Sequence, residues 1–196
     1  MKILQLLIII ISMLSISVVA SEADKAMKII EDRCQLCHGL KGESSNVIYP
    51  RLAAQDKAYM IKQLHNFKSG ARKGTMNEMA ADLTEENIIA LADYFSQQQA
   101  SSHKVRDSDL NHVGRYIFLK GNKYSGVAAC ASCHGKDGSG NLNLPRLAGQ
   151  HKRYISNQLE EFYLRKRTND NSIMHSIASK LTELEREAVS LYVSGI

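Results

Sequence analysis

The segment CQLCHG at residues 34–39 recurs as CASCHG at residues 130–135. The tripeptide Pro-Arg-Leu follows each copy, at residues 50–52 and again at residues 145–147. Further matches of Tyr, Gln-Leu, Phe, Met and Leu continue downstream of both copies at nearly the same spacing. A sequence pattern that repeats at this period indicates a duplicated module. The 196-residue chain is therefore predicted to hold two small domains.

The first 20 residues have the features of a secretory signal peptide. Lys2 precedes an apolar run at residues 3–11, and the small residues Val18 and Ala20 precede a polar segment. Cleavage is predicted after Ala20, which places the protein in the periplasm, and an uncleaved anchor is the alternative. Loose, peripheral association of the exported protein with the inner membrane is a further alternative. The predicted organisation is a signal peptide at 1–20, a first domain at 21–99, a linker at 100–107 and a second domain at 108–196.

Both modules are predicted to be mostly helical, because strand-like runs are few and the chain has only two prolines. Thr84 is predicted to cap the last helix of the first module. Thr182 and Glu185 have the spacing of a capping box at the equivalent helix of the second module. The helices of the first module are predicted from about Glu22 to the cysteine motif, over 55–68 and over 85–97.

The charge of the chain is distributed unevenly between the two halves. Residues 21–100 hold 10 basic and 11 acidic residues, whereas residues 108–196 hold 12 and 8. Such an asymmetry favours oriented docking to an acidic protein surface. It is too weak and too scattered to indicate a nucleic-acid-binding protein.

The Cys-x-x-Cys-His run is the attachment signature of c-type haem. The two thiols add across the two vinyl groups of one haem, and the adjacent histidine turns its ring onto the iron. Two copies in an exported chain predict two covalently bound haem c groups. The predicted thioether residues are Cys34, Cys37, Cys130 and Cys133, and the predicted histidine ligands are His38 and His134.

Three other uses of four cysteines are less consistent with the pattern. Two disulfides suit an oxidising compartment but do not account for the Cys-x-x-Cys-His spacing. A zinc site would need both modules to meet at one metal, and it leaves the repeated histidine unexplained. A redox-active Cys-x-x-Cys pair is expected beside a strand and a helix, and neither flank has that pattern.

A thioether is the usual sixth iron ligand when a cytochrome transfers electrons at raised potential. Met76 lies seven residues before Leu83, just as Met174 lies seven residues before Leu181. This matched spacing predicts Met76 and Met174 as the sixth ligands. Neither Met60 nor Met79 has a partner methionine in the second module, so Met60 is interpreted as a core or surface residue and Met79 as a packing residue. His175 is an alternative ligand beside Met174.

The two CxxCHG runs, YPRLAAQ at 49–55, LPRLAGQH at 144–151 and ALADYF at 90–95 resemble the cytochrome c₄ family over essentially the whole mature chain. The resemblance implies an all-α fold of two tandem class I cytochrome c domains related by pseudo-twofold symmetry. It also implies that the Pro50 and Pro145 carbonyls hold the histidine ligands in place. Arg51 and Arg146 directly follow these prolines and are candidate contacts for the haem propionates, with a solvated surface position as the alternative.

The same resemblance implies an electron transfer protein rather than an enzyme. The expected function is a monomeric periplasmic carrier between an upstream quinol-oxidising complex or dehydrogenase and a membrane-bound terminal oxidase. One alternative is the diheme subunit of a flavocytochrome c sulfide dehydrogenase. A diheme peroxidase is disfavoured, because such enzymes are longer and need one open iron, whereas each module here supplies its own methionine.

Overall fold

The structure, a computed structural model, describes residues 24–101, 103–106, 108–141 and 143–196. The predicted signal peptide and the predicted start of the first helix at Glu22 lie outside these residues. Within the described part of the chain, no helix is long and apolar enough to cross a membrane.

The described residues are helical with connecting turns, and they contain isolated β-bridges but no strand. The first helix, α1, covers 24–38 and contains a π-helical turn at Ile30–Cys34 before its last α-helical turn at Gln35–His38. The remaining helices are α2 (Lys57–Lys68), α3 (Met76–Ala80), α4 (Glu85–Ser96), α5 (Asp109–Lys120), α6 (Ala131–His134), α7 (Lys152–Tyr163), α8 (Ile173–Ala178) and α9 (Glu183–Val193).

Both predicted N-caps are confirmed. The Thr84 side chain accepts a hydrogen bond from the Asn87 amide, and the Asn87 side chain bonds the Thr84 amide in return. At α9, Thr182 and Glu185 form the same reciprocal arrangement. These bonds satisfy amides that the first turn of a helix cannot pair internally, so they fix where α4 and α9 begin.

The first domain packs α1, α2 and α4 around a single apolar core. Ile88, Leu91 and Phe95 recur at helical spacing along α4, and all three are buried. They meet Ile30 from α1 and Met60 from α2 in one cluster. Met60 is therefore a core residue, which is one of the two positions expected for it from the sequence.

The second domain is built around the crossing of α5 and α9. Phe118 on α5 and Val193 on α9 are fully buried in its core. The two helices approach most closely at Gly114, where an added Cβ would lie 2.0 Å from the carbonyl oxygen of Ala188. Only glycine fits this position, because any side chain would push the two backbones apart.

The domains meet through reciprocal hydrogen bonds that display the pseudo-twofold symmetry. The Arg51 amide donates to Gln150 Oε1 at 2.8 Å, and Gln150 Nε2 donates to the Arg51 carbonyl at 2.9 Å. The equivalent Arg146 amide donates to Gln55 Oε1 at 2.7 Å, and Gln55 Nε2 donates to the Arg146 carbonyl at 3.1 Å. Both glutamines are buried, so these bonds form in a site with little access to water.

The segment between α4 and α5 lies against the second domain. Val105 packs so closely on Gly195 that an added Cβ there would lie 1.8 Å from the valine side chain. The described part of the predicted linker therefore contacts the second domain. The domain boundaries given above stay predictions.

Candidate functional site

His38 ends α1 with its ring turned inward. The helix stops at Gly39, whose φ of +77° is a backbone conformation that favours glycine. The chain then folds back so that the Pro50 carbonyl oxygen lies 2.8 Å from His38 Nδ1. His38 is buried, and this is the only hydrogen bond that its ring makes to the described residues.

The second domain repeats this arrangement around His134. The short helix α6 ends at Gly135, with a φ of +82°, and the Pro145 carbonyl oxygen lies 3.1 Å from His134 Nδ1. His134 is buried as well. The prolines that the resemblance singled out are thus placed next to the two histidines in the structure.

Burial lowers the pKa of both His38 and His134, against the opposing effect of the proline carbonyls. Each ring is therefore neutral near pH 7. Because the carbonyl can only accept, Nδ1 carries the proton and Nε2 keeps a free lone pair. A ring held in this way is suited to bind a metal through Nε2.

None of the four cysteines forms a disulfide. Burial raises the pKa of Cys34 to about 11 and the pKa of Cys130 to about 11. A redox-active cysteine is a thiolate with a lowered pKa, so the burial of Cys34 and Cys130 disagrees with that alternative. The described part of the chain also contains no cluster of three or more metal-ligating side chains.

A cleft of about 290 Å³ opens beside the first histidine motif. Met76, at the start of α3, lines this cleft, as does the Met79 side chain. Met79 is 43% exposed where it lines this cleft, and its interpretation as a packing residue stays a prediction. The cleft is lined by Ile29, Arg33, Cys34, Leu64, Met76, Met79, Leu83 and Leu91.

Met174 lies near the start of α8 and packs against the core of the second domain. Its amide donates to Asp170 Oδ2 at 2.6 Å, which fixes the turn that leads into α8. The neighbouring His175 ring is held elsewhere, with Nδ1 2.9 Å from the Phe162 carbonyl and Nε2 accepting from Arg165 Nε at 3.2 Å. These contacts favour Met174 over His175 as a ligand, and the assignment stays a prediction.

The side chains of Arg51 and Arg146 differ in whether their hydrogen-bond donors have partners. The Arg51 guanidinium donates to the carbonyl oxygens of Gly149 and Glu43. Arg146 Nε is buried and has no hydrogen-bond partner among the described residues. A buried donor without a partner is costly, so Arg146 has capacity left for an acceptor such as a carboxylate. The propionate contacts of both arginines stay predictions.

These features fit a haem in each domain. Cys34 and Met76 line one apolar cleft, and a buried neutral histidine follows the cysteine pair in the chain. A bound haem supplies an iron that exchanges a single electron. The chain's own residues would hold the group by two thioethers, present one imidazole nitrogen and one thioether sulfur, and exclude water. The assignments of these ligands stay predictions.

One set of contacts between the domains was not predicted from the sequence. Arg72 and Arg167 lie buried between the domains, where each bonds residues of the other half of the chain. The signal was present, because these arginines match across the repeat at the same spacing as Gln63 and Gln158.

Comparison with known proteins places the chain in a family. Residues 118–196 match the family described as Cytochrome c, and residues 21–95 match the family described as Cytochrome C oxidase, cbb3-type, subunit III. Cytochrome c4 from Azotobacter vinelandii is 34% identical over 83% of this chain and 84% of its own length. The chain belongs to the cytochrome c4 family. The Thiosulfate dehydrogenase electron acceptor of Thiomonas intermedia (strain K12) is 32% identical over 83% of this chain and 77% of its own.

Solved structures agree with this assignment. The crystal structure of reduced recombinant cytochrome c4 from Pseudomonas stutzeri has a TM-score of 0.83 and 34% sequence identity, covering 89% of this chain and 98% of that one. The predicted fold class is thereby confirmed: two tandem, mostly helical cytochrome c domains. As a cytochrome c4, the protein carries two covalently bound haem c groups and transfers electrons between redox partners.

Proposed function

We propose that this protein is a periplasmic electron carrier that takes electrons from a quinol-oxidising complex or a dehydrogenase and delivers them to a membrane-bound terminal oxidase. One observation carries the proposal: each domain presents both a buried histidine fixed by a proline carbonyl and a methionine on the following short helix. With two protein ligands, neither iron keeps an open position for a substrate. Such a site supports electron transfer and disfavours a peroxidase.

The choice of an oxidase as electron acceptor is supported by the family matched by residues 21–95, which is described as a subunit of a cbb3-type oxidase. The charge asymmetry between the halves supports oriented docking, with the basic second domain facing an acidic partner. Removal of the predicted signal peptide at 1–20 would release the carrier into the periplasm.

The test uses purified, fully reduced holoprotein added to membranes of the source organism. Rapid oxidation that cyanide blocks is the expected result, with a rate that falls as ionic strength rises. If the membranes oxidise the protein no faster than buffer does, the terminal oxidase is not its acceptor.

A second candidate is a carrier dedicated to one dehydrogenase. It is favoured by the similarity to the Thiosulfate dehydrogenase electron acceptor of Thiomonas intermedia. Reduction of the oxidised holoprotein by thiosulfate together with a thiosulfate dehydrogenase, but not by thiosulfate alone, would support it. Co-purification with a flavoprotein would instead indicate a subunit of a flavocytochrome c sulfide dehydrogenase.

A further inference from the structure

An ion pair joins the first cysteine motif to the segment that follows the predicted methionine ligand. Arg33, the residue before Cys34, donates from Nη1 and Nη2 to the two carboxylate oxygens of Asp82, at 2.8 and 3.0 Å. Arg33 Nη1 also donates to the Met79 carbonyl oxygen at 3.4 Å. One guanidinium at the end of α1 therefore contacts both α3 and the turn that follows it.

The short helix α3 depends on contacts of this kind. It contains five residues, Met76–Ala80, and its N-cap residue makes no side-chain cap hydrogen bond. A helix of this length is not stable in isolation. At its start, Asn77 Nδ2 donates to two backbone carbonyl oxygens of α2 and the loop after it, at 2.6 and 2.8 Å. At its end, Ala80 and Leu83 pack in the core, and the Arg33–Asp82 pair adds a charged contact with α1.

The Arg33–Asp82 pair is partly exposed, since the two side chains are 30% and 67% accessible to water. The hydrogen bond between them lowers the pKa of Asp82 and raises the pKa of Arg33, so both groups are charged at neutral pH. Exposed ion pairs add little to the stability of a whole protein, but the paired geometry seen here is the strongest form of such a contact. It is suited to restraining a short local segment.

The pair also lies at the cleft that holds the candidate iron ligands. Arg33 lines this cleft together with Met76 and Met79. Movement of α3 away from α1 would widen the cleft and carry both methionines outward. The Arg33–Asp82 pair bridges the two elements that would separate in such a movement.

The second domain has no such pair at the equivalent positions. Ala129 precedes Cys130 where Arg33 precedes Cys34, and Lys180 precedes Leu181 where Asp82 precedes Leu83. Lys180 Nζ donates to the Gly126 carbonyl oxygen at 3.1 Å. A single bond to a neutral acceptor is weaker than paired bonds to a carboxylate. The segment that follows the methionine is therefore held more firmly in the first domain.

We propose that Arg33 is a positioning residue for the methionine ligand of the first haem: with Asp82 it holds α3 against α1 and opposes displacement of the thioether from the iron. This role rests on the proposed closed iron sites with a methionine of α3 as sixth ligand, and it makes the two haems unequal in ligand exchange. A methionine ligand favours the reduced iron, so the pair matters most in the oxidised protein.

The expected effect follows from the opening of α3. An added ligand can reach the iron only in molecules whose methionine has moved away, so its apparent Kd is inversely proportional to the fraction of open molecules. Loss of an ion pair with this exposure is expected to raise that fraction by about three- to fivefold. The Kd of imidazole at the oxidised first haem should therefore fall by the same factor, while the Kd at the second haem stays unchanged.

The test is an imidazole titration of the oxidised diheme holoprotein, followed by proton NMR, which resolves the methyl signals of the two haems. Arg33→Gln and Asp82→Asn should each lower the Kd at the first haem, and the double variant should lower it no further, because the two residues act as a pair. Lys28→Gln is the matched control. Lys28 also lies on α1, and it pairs with Asp32 of the same helix at 3.0 Å, so both Kd values should stay unchanged.

An effect of charge alone would act in opposite directions in the two single variants, because one loses a positive charge and the other a negative charge. Opposite shifts, equal shifts at both haems, additive shifts in the double variant or no shift at the first haem would overturn the proposal. Asp82→Asn decides the case in which Arg33→Gln, next to a cysteine of the haem motif, does not retain two haems. If the reduced unmodified protein lacks a methionine methyl signal at the first haem, the ligand assignment fails together with this role. Failure of the variants alone leaves the diheme carrier intact.

Discussion

Replacing Gln150 by alanine is expected to weaken the docking of the two domains. Its side chain makes two bonds across the interface with the Arg51 backbone, at 2.8 and 2.9 Å, and accepts from the His151 amide at 3.0 Å. Each bond contributes about 0.5–1.5 kcal/mol net, and an orphaned buried amide costs about 1–3 kcal/mol. Gln150 is only 5% exposed, so water replaces these bonds poorly. The free energy of unfolding should fall by about 2–4 kcal/mol.

Guanidinium denaturation of the holoprotein, followed by far-ultraviolet circular dichroism, measures this change. Gln97→Ala is the matched control, because Gln97 is exposed and its side chain, among the described residues, bonds only Asp93 of its own domain, at 2.7 Å. The control is expected to change the free energy of unfolding by less than about 0.5 kcal/mol. If Gln150→Ala destabilises the protein no more than Gln97→Ala does, the reciprocal amide bonds do not hold the domains together.

Three further changes test other parts of the structure. Gly114→Ala would place a methyl group 2.0 Å from the Ala188 carbonyl oxygen, so the free energy of unfolding should fall by about 1–3 kcal/mol or more. Thermal denaturation measures this change, and an unchanged melting temperature would contradict the close crossing of α5 and α9. Met76→Ala should let carbon monoxide bind about one haem per chain, whereas Met79→Ala should leave both irons closed. If only the Met79 variant binds carbon monoxide, Met79 and not Met76 is the iron ligand. Burial opposes ionisation of Glu185, but hydrogen bonds at the start of α9 outweigh it and lower its pKa. The ionised Glu185 side chain therefore stabilises the fold above pH 4.5, and this stabilisation is lost as the pH falls through the lowered pKa. In the Glu185→Gln variant, the free energy of unfolding should therefore fall less steeply with acidification. A curve of unfolding free energy against pH that runs parallel to that of the unmodified protein would refute this.

Features set by neighbouring residues were predictable from the sequence. The caps at Thr84 and Thr182 depend on side chains three positions away, and both are where the pattern places them. The second helix was predicted from residue 55 but begins at Lys57, because the Asp56 side chain accepts from the Tyr59 amide at 2.7 Å and caps the helix there. The π-helical turn at Ile30–Cys34 has no pattern in the sequence that distinguishes it from an α-helix.

Site residues could be predicted from the sequence where the same residue type occurs at equivalent positions in both modules. Each cysteine and histidine motif spans six residues, and a proline follows the histidine 12 residues later in the first module and 11 residues later in the second. The structure places each proline carbonyl beside its histidine. The partners of Arg72 and Arg167 lie 82 to 108 residues away, across an interface that no local pattern encodes. Long-range contacts of this kind depend on how the two folded domains dock.

The closure of both irons is tested most simply by the visible spectrum of the fully reduced protein before and after carbon monoxide is added, with haem content measured on the same sample. We expect two covalently bound haems per chain and no spectral change, because Met76 and Met174 close both irons. Carbon monoxide binding to about one haem per chain in the unmodified protein would show that an iron is open. That result would contradict the assignment as a closed, two-centre electron carrier and would favour an enzyme.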